Sequence, residues 1–280
     1  MERRTVRPVT LRRGRAPWVA ALILVLTLIP ALVAGAAVDD TSIVSKATDG
    51  TPADGASGPG VVVSPNGRYV VFESTADNLS DADDDSVVNL YLRDLETNVT
   101  KLISRASGGA GAGADADSTN AAISPGGARY VAFESRATNL STADGDPTLD
   151  VFIRDLETNT TTLVSRAPDG SPADGDSGDP ALSTKATKVA FESQATNLNA
   201  TDLDATTDIF VHDFATATTT LVSGTGAAGG DDSSVDPTIS NDGNRIAFAS
   251  DADNLTAVDN DAVRNVYLSQ RVGSFRLLNT

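Results

Sequence analysis

The chain has no cysteine, and that absence removes several chemistries at once. Disulfides, thiolate metal sites, a cysteine nucleophile and a lipidated N-terminal cysteine are all excluded. Histidine occurs once, at His212, tryptophan once, at Trp18, and aromatic residues make up only 5% of the 280 residues. A single large aromatic core is out of reach, so small β-rich units fit better. A Ser-His-Asp triad would have to use His212, which falls in a segment that reads as a strand, and no G-x-S-x-G elbow accompanies it. Basic residues are also scarce: 21 Lys and Arg stand against 38 Asp and Glu, a formal charge of −17. Such a surface repels nucleic acid and attracts cations or basic partners, so no nucleic-acid partner is expected.

The one long apolar run is at the N-terminus. Arg3, Arg4, Arg7, Arg12, Arg13 and Arg15 precede an apolar stretch from Trp18 to Val33, and Ala34-Gly35-Ala36 follows it. This is the order of a signal peptide, with an uncleaved membrane anchor as the alternative. Residues 1–37 are assigned this role, and membrane contact is expected only through them if they are retained. Their removal would take away six arginines and Glu2 and move the formal charge from −17 to −22. Export follows as the expectation: secreted, periplasmic or at the cell surface.

What is abundant is repetition. Phe72-Glu-Ser-Thr-Ala-Asp-Asn-Leu79 recurs as Phe133 to Leu140, Phe191 to Leu198 and Phe248 to Leu255, at steps of 61, 58 and 57 residues. A period of this kind signals a repeat architecture. Within the first unit a short apolar run, Val61 to Val63, meets the turn Ser64-Pro-Asn-Gly67, in which Pro presets φ and Gly supplies a positive φ. Tyr69 to Phe72, Asn89 to Arg93 and Thr100 to Ser104 follow as further β-type runs. No helical pattern appears after residue 37. Four antiparallel strands per repeat, here named A to D, make a β-propeller blade, so the expected fold is all-β. The expected blades are approximately 59–105, 119–166, 179–223 and 236–280. Residues 41–46 add a surplus strand of D type, which leaves the tally open: an imperfect closure on four blades, or a partial or open propeller, completed by self-association with another chain or cut short.

Ser64-Pro-Asn-Gly-Arg-Tyr-Val-Val-Phe72 followed by Asn89-Leu-Tyr-Leu-Arg-Asp94 resembles the WD-like repeat of the TolB-type propeller family, over roughly residues 41 to 280. The resemblance implies the propeller fold and a periplasmic or secreted scaffold. Related propellers cap the active sites of prolyl-oligopeptidase-type enzymes. Two features depart from the family. The repeats exceed the roughly 40–45 residues usual for such blades, and the additional α/β domain of TolB itself has no counterpart in the sequence.

Two internal correlations point to sites. Glu73 accompanies Arg93, Glu134 accompanies Arg154 and Glu192 accompanies His212, while the fourth unit has Ala249 and Ser269. This predicts a structural cross-strand pair on one face of each blade. The loops between strands B and C carry D-x-D-x3-[DN]: Asp83, Asp85 and Asn89; Asp144, Asp146 and Asp150; Asp202, Asp204 and Asp208; Asp259, Asp261 and Asn265. Alternating carboxylates with a further oxygen suit Ca2+, which takes six to eight oxygen ligands. The same residues also build Asx turns without any metal, and the glycine and distal glutamate of a full EF-hand-like loop are missing. The sequons at Asn78, Asn139 and Asn254 keep step with the repeat and read as by-products of it.

Propeller topology puts the B–C loops and the acidic D–A segments at one end, and the Arg- and Lys-bearing A–B turns (Arg68, Arg129, Lys185, Arg245) at the other. The expected function is therefore an exported, non-enzymatic scaffold. It binds a protein or another extracellular ligand of basic character through its acidic loop face, with Ca2+ as a candidate stabiliser. The alternatives are a carbohydrate-active or peptidase-associated propeller enzyme and a structural cell-envelope protein.

Overall fold

β-Branched and aromatic runs separated by tight turns pair with their nearest neighbours in the chain, and each of the four repeats becomes a four-stranded antiparallel meander. The computed structural model describes residues 41–83, 85–225, 228–259 and 263–270, and strand 275–277 through its backbone. The N-terminal segment expected as a signal peptide lies outside the described residues, and so does Asp261. The first sheet holds β1 (Ser57–Val63), β2 (Tyr69–Ser74), β3 (Asn89–Asp94) and β4 (Val99–Leu102). The second holds β5 (Ser118–Ile123), β6 (Tyr130–Ser135), β7 (Asp150–Asp155) and β8 (Thr160–Leu163). The third holds β9 (Ser177–Leu182), β10 (Lys188–Ser193), β11 (Asp208–Asp213) and β12 (Thr218–Leu221). The fourth holds β13 (Ser234–Ile239), β14 (Arg245–Ser250), β15 (Asn265–Gln270) and β16 (Phe275–Leu277). These are the blades of a β-propeller, in the order A-B-C-D expected from the repeat.

The cores lie between consecutive sheets. Strand alternation gives each sheet two apolar faces. Val71, Leu90 and Leu92 of the first sheet pack on Phe133 and Phe152 of the second. Ala132, Val151 and Ile153 of the second pack on Phe191 and Phe210 of the third. Ala190 and Ile209 of the third pack on Phe248 and Tyr267 of the fourth. The aromatic pairs Phe72–Tyr91, Phe133–Phe152, Phe191–Phe210 and Phe248–Tyr267 face each other across strands B and C, with ring centroids 5.7–5.9 Å apart. The first strand of each later sheet lies against the preceding sheet, β5 on β1, β9 on β5 and β13 on β9. The row ends on a poorly covered face: Val266 of β15 is 45% exposed, whereas its counterparts Leu90, Val151 and Ile209 are buried.

The Glu–Arg correlation has a different meaning from the expected cross-strand pair. In the antiparallel register Glu73 stands opposite Leu90 and Val70 opposite Arg93. Three residues separate the two positions along each strand, so their side chains leave opposite faces. Glu73 reaches forward and accepts from Asn120 N (3.1 Å) in the next unit; Glu134 accepts from Asp179 N (2.6 Å) and Glu192 from Asp236 N (3.3 Å). These N–H groups belong to a bulge in strand A, where Asn120, Asp179 and Asp236 adopt positive φ of 49°, 52° and 56°. Arg93 reaches backward instead, donating from Nη1 to Ala47 O (3.0 Å), and Arg154 does the same to Ala106 O (3.0 Å). The junction between the first and second units is thus latched from both sides, and the next two are latched by the glutamate.

Residues 41–45, expected as the beginning of a surplus strand, form no strand pairing. The outer edge of β4 is met instead by the Thr48 hydroxyl, which accepts from Thr100 N (3.1 Å) and donates to Thr100 O (3.4 Å). Lys46 makes an isolated bridge to Pro52, as Arg105 does to Gly113 and Arg166 to Pro172 in the later D–A segments. The segment docks on the first sheet in the same way, with Ala47, Val44 and Ala53 packed over Phe72, Tyr91 and Leu102.

Candidate functional site

Strand B ends in a serine in every unit, and that serine sets up the loop that follows. Ser74, Ser135, Ser193 and Ser250 meet Ser57, Ser118, Ser177 and Ser234 across the sheet at 2.8–3.0 Å between hydroxyls. Each hydroxyl also accepts the N–H two residues on, which starts the B–C loop. The asparagine of the repeated phrase then ties two loops together. Asn78, Asn139, Asn197 and Asn254 donate to Pro52 O, Gly113 O, Pro172 O and Gly229 O at 2.8–3.1 Å. They accept from the N–H of Asp54, Asp115, Asp174 and Asp231 at 3.2–3.3 Å. The B–C loops and the acidic D–A segments therefore share one end of the sheets. These bonds account for the recurrence of the asparagine, which at positions 78, 139 and 254 also makes the sequons.

The three positions of D-x-D-x3-[DN] take different roles. The first aspartate turns inward: Asp83, Asp144, Asp202 and Asp259 are all buried. The second forms the Asx turn expected of such a loop, with Val87 N on Asp85 Oδ1 (3.0 Å), Thr148 N on Asp146 Oδ1 (2.9 Å) and Thr206 N on Asp204 Oδ1 (2.9 Å). The third opens strand C, buried as Asn89, Asp150, Asp208 and Asn265. A serine two residues past strand D, whose part the sequence did not reveal, fixes it. Ser104, Ser165 and Ser223 accept the N–H of Leu90, Val151 and Ile209, and donate at 2.5 Å to Asn89 Oδ1, Asp150 Oδ1 and Asp208 Oδ1.

The units are of two kinds. In the second and third, Asp144, Asp146 and Asp150, and Asp202, Asp204 and Asp208, bring three carboxylates within 4.8 Å of one another. Burial pushes Asp150 and Asp208 up to about 7 and Asp202 up to about 6, with the neighbouring carboxylates adding to the effect. In the first unit Asn89 Nδ2 donates to Asp83 Oδ1 (3.2 Å), and the Tyr91 hydroxyl donates to Asp83 Oδ2. The fourth repeats this, with Asn265 Nδ2 at 3.1 Å from Asp259 Oδ2 and the Tyr267 hydroxyl on the same oxygen. The sequence signal for this division was the fixed pairing of Asn with Tyr and of Asp with Phe two residues on.

At the acidic end Arg136 pairs with Asp176 (2.8 Å) and Arg264 with Asp251 (2.6 Å); the opposite end carries the basic residues of the A–B turns, and several are already engaged. Arg68 forks onto Asp94 (2.9 and 2.7 Å) and also meets Glu96 (2.5 Å), holding the Asp94 carboxyl far below the usual carboxylate range. Arg129 repeats this with Asp155 and Glu157, and Lys188 lies 3.6 Å from Asp213. His212 takes the place of Arg93 and Arg154. It is 1% exposed, its Nδ1 lies 3.0 Å from Thr219 Oγ1, and burial pushes its pKa down to about 4. Such an imidazole is neutral near pH 7 and structural.

No family model matches the chain, and no curated protein matches it in sequence. Among solved structures it is similar to TolB from Acinetobacter baumannii, at 15% identity and a TM-score of 0.46 over 80% of this chain and 43% of that one. It is similar to a putative TolB from Agrobacterium tumefaciens, at 14% identity and a TM-score of 0.48 over 79% and 64%. It is also similar to the β-propeller domain of the Trilobed protease from Pyrococcus furiosus, at 12% identity and a TM-score of 0.45 over 79% and 56%. The TolB-type likeness read from the repeats reappears here, and the chain spans 43–64% of the length of these proteins. The fold rests on the four sheets themselves, and likeness at this level assigns no activity.

Proposed function

We propose that the chain is an exported, non-enzymatic propeller scaffold that binds a basic protein or other extracellular ligand through its acidic loop end. The observation that carries this reading is the knitting of B–C loops to D–A segments in all four units. It presents exposed carboxylates such as Asp77, Asp85, Asp117 and Asp232 from a hydrogen-bonded backbone. A surface held in place before binding loses little freedom on binding, and one dominated by a single charge steers a basic partner toward it. The buried aspartates recur from unit to unit, as a structural task does, and His212 is locked inside a sheet. Among the described residues no helix is long and apolar enough to cross a membrane. Export rests on the N-terminal pattern.

The test is a variant with Asp77, Asp85, Asp117 and Asp232 all changed to Asn. An amide keeps the carbonyl oxygen that Val87 N, Val88 N and Ser233 N use. Affinity for a partner captured from the extracellular fraction should fall at least about tenfold, and its salt dependence should flatten. Unchanged affinity and salt slope would sink the acidic-face reading. Loss of a turnover on changing one unrepeated residue would establish an enzyme in its place.

A further inference from the structure

Two oxygen atoms in the third unit have nothing to bond to. Asp202 Oδ1 and Asp208 Oδ2 are buried without a hydrogen-bond partner, on side chains 1% and 0% exposed. Both belong to the group of three carboxylates gathered within 4.8 Å. The other oxygen of Asp208 is held by Ser223, so the carboxylate cannot turn freely to find a donor. Two acceptors facing each other out of water repel, and the arrangement is complete only with a positive charge or a proton between them.

The first and fourth units show what that place looks like when the protein fills it. Ser104 holds Asn89 Oδ1 as Ser223 holds Asp208 Oδ1, so the Asn89 amide nitrogen stands where Asp208 Oδ2 stands, and it donates to Asp83. The Tyr91 hydroxyl supplies a second donor, and Asn265 and Tyr267 reproduce the pair around Asp259. In the second and third units both donors are lost together: Asp150 goes with Phe152, and Asp208 with Phe210; the second unit keeps only long contacts from its own loop, Asp146 N on Asp144 Oδ1 and Thr148 Oγ1 on Asp150 Oδ2, both 3.3 Å. The exchange deletes two donors, adds a negative charge and vacates the space of a hydroxyl. Gly229, in the segment entering the fourth unit, walls this space with bare backbone; a methyl group built there would lie 3.8 Å from both Asp202 Oδ1 and Asp208 Oδ2.

We infer that the second and third units each bind one Ca2+ ion, through Asp144, Asp146 and Asp150 and through Asp202, Asp204 and Asp208. The first and fourth units bind none, because the asparagine amide and the tyrosine hydroxyl stand in for the ion. The donors are all oxygen, with no histidine or cysteine, which suits a hard cation. Waters and main-chain carbonyls complete its coordination. The ion cross-braces the B–C loop where it meets the next D–A segment. This assignment holds whether or not the acidic end binds a protein.

The experiment uses the full chain, stripped with EDTA and dialysed against CaCl2 at pH 7.5, with bound calcium counted per chain. Two ions are expected, with a rise of several degrees in Tm that MgCl2 reproduces only weakly. The double variant Asp208→Asn/Phe210→Tyr copies the first unit and should fold while binding one ion. Asp150→Asn/Phe152→Tyr should also bind one, and the fourfold variant none, with unchanged far-UV circular dichroism. No retained calcium at millimolar CaCl2 overturns the inference, as do two ions in either double variant. Absence of calcium together with stability that falls as pH rises through neutrality would show that a shared proton bridges the aspartates.

Discussion

Ala217 adopts a positive φ of 52° at the turn between strands C and D, where the first two units place Asn98 at 59° and Asn159 at 56°. Asparagine tolerates the left-handed region through its short polar side chain, and alanine pays for its Cβ there. Ala217 is exposed, so replacing it removes no buried methyl. Ala217→Gly should stabilise the protein by about 1 kcal/mol in urea unfolding, and no gain would show that the turn relaxes away from this conformation. Ala186, at 48°, offers no such clean gain because its methyl packs in the core between the second and third sheets. At this scale much of the site was legible: the spacing of the aspartates, their Asx turns and the solitary histidine all follow from residue type. The serine that fixes the third position was not, because Ser104 and Asn89 are brought together only by the pairing of strands C and D.

The strands themselves were readable from β-branched runs and glycine turns, but the starts of the A strands were not. β1 begins at Ser57, four residues before the apolar run at Val61, and no hydrophobic signal marks it. What holds that stretch is a hydroxyl pair and a glutamate, both invisible to hydropathy. The glutamate latch carries a pH dependence. Burial, and then the charge of Asp179, pushes Glu192 up to about 7 from an ordinary value of 4.5. Between these values the folded state holds more protons than the unfolded one, so this group's contribution to stability falls as pH rises from 4.5 to 7. Glu192→Gln keeps an acceptor for Asp236 N and cannot ionise. The variant should lose less stability than the wild type across that window and be the more stable at pH 8, as read from urea midpoints over a pH series. Identical profiles would mean that Glu192 remains charged in the fold. The covariation of Glu with Arg was plain in the sequence, yet its meaning needed the register, because a shift of one residue exchanges the faces of a strand.

In the whole molecule, stability is shared among interfaces between neighbours, as in other repeat proteins. The second and third sheets are buried on both faces, whereas the fourth leaves Val266 exposed and Leu268 half-buried on its last face. Local opening follows such differences in burial. Backbone amides of β15 should exchange with deuterium faster than those of β7 and β11, and equal protection would mean that something covers this face in solution. The two latches also assign each unit a place in the order. The first unit has Pro59, which has no N–H, at the bulge position where the others offer one to a preceding glutamate, and the fourth has Ala249 where the others have that glutamate. Exchanging the second and third units would leave every glutamate facing a bulge N–H, with Arg154 and His212 trading places. Moving the first unit inward would set a glutamate against a proline, and moving the fourth inward would leave a bulge N–H facing a methyl group. The chain thus carries its own syntax: two interchangeable middle words, an opening word and a closing word, distinguished by a missing hydrogen and a missing carboxylate.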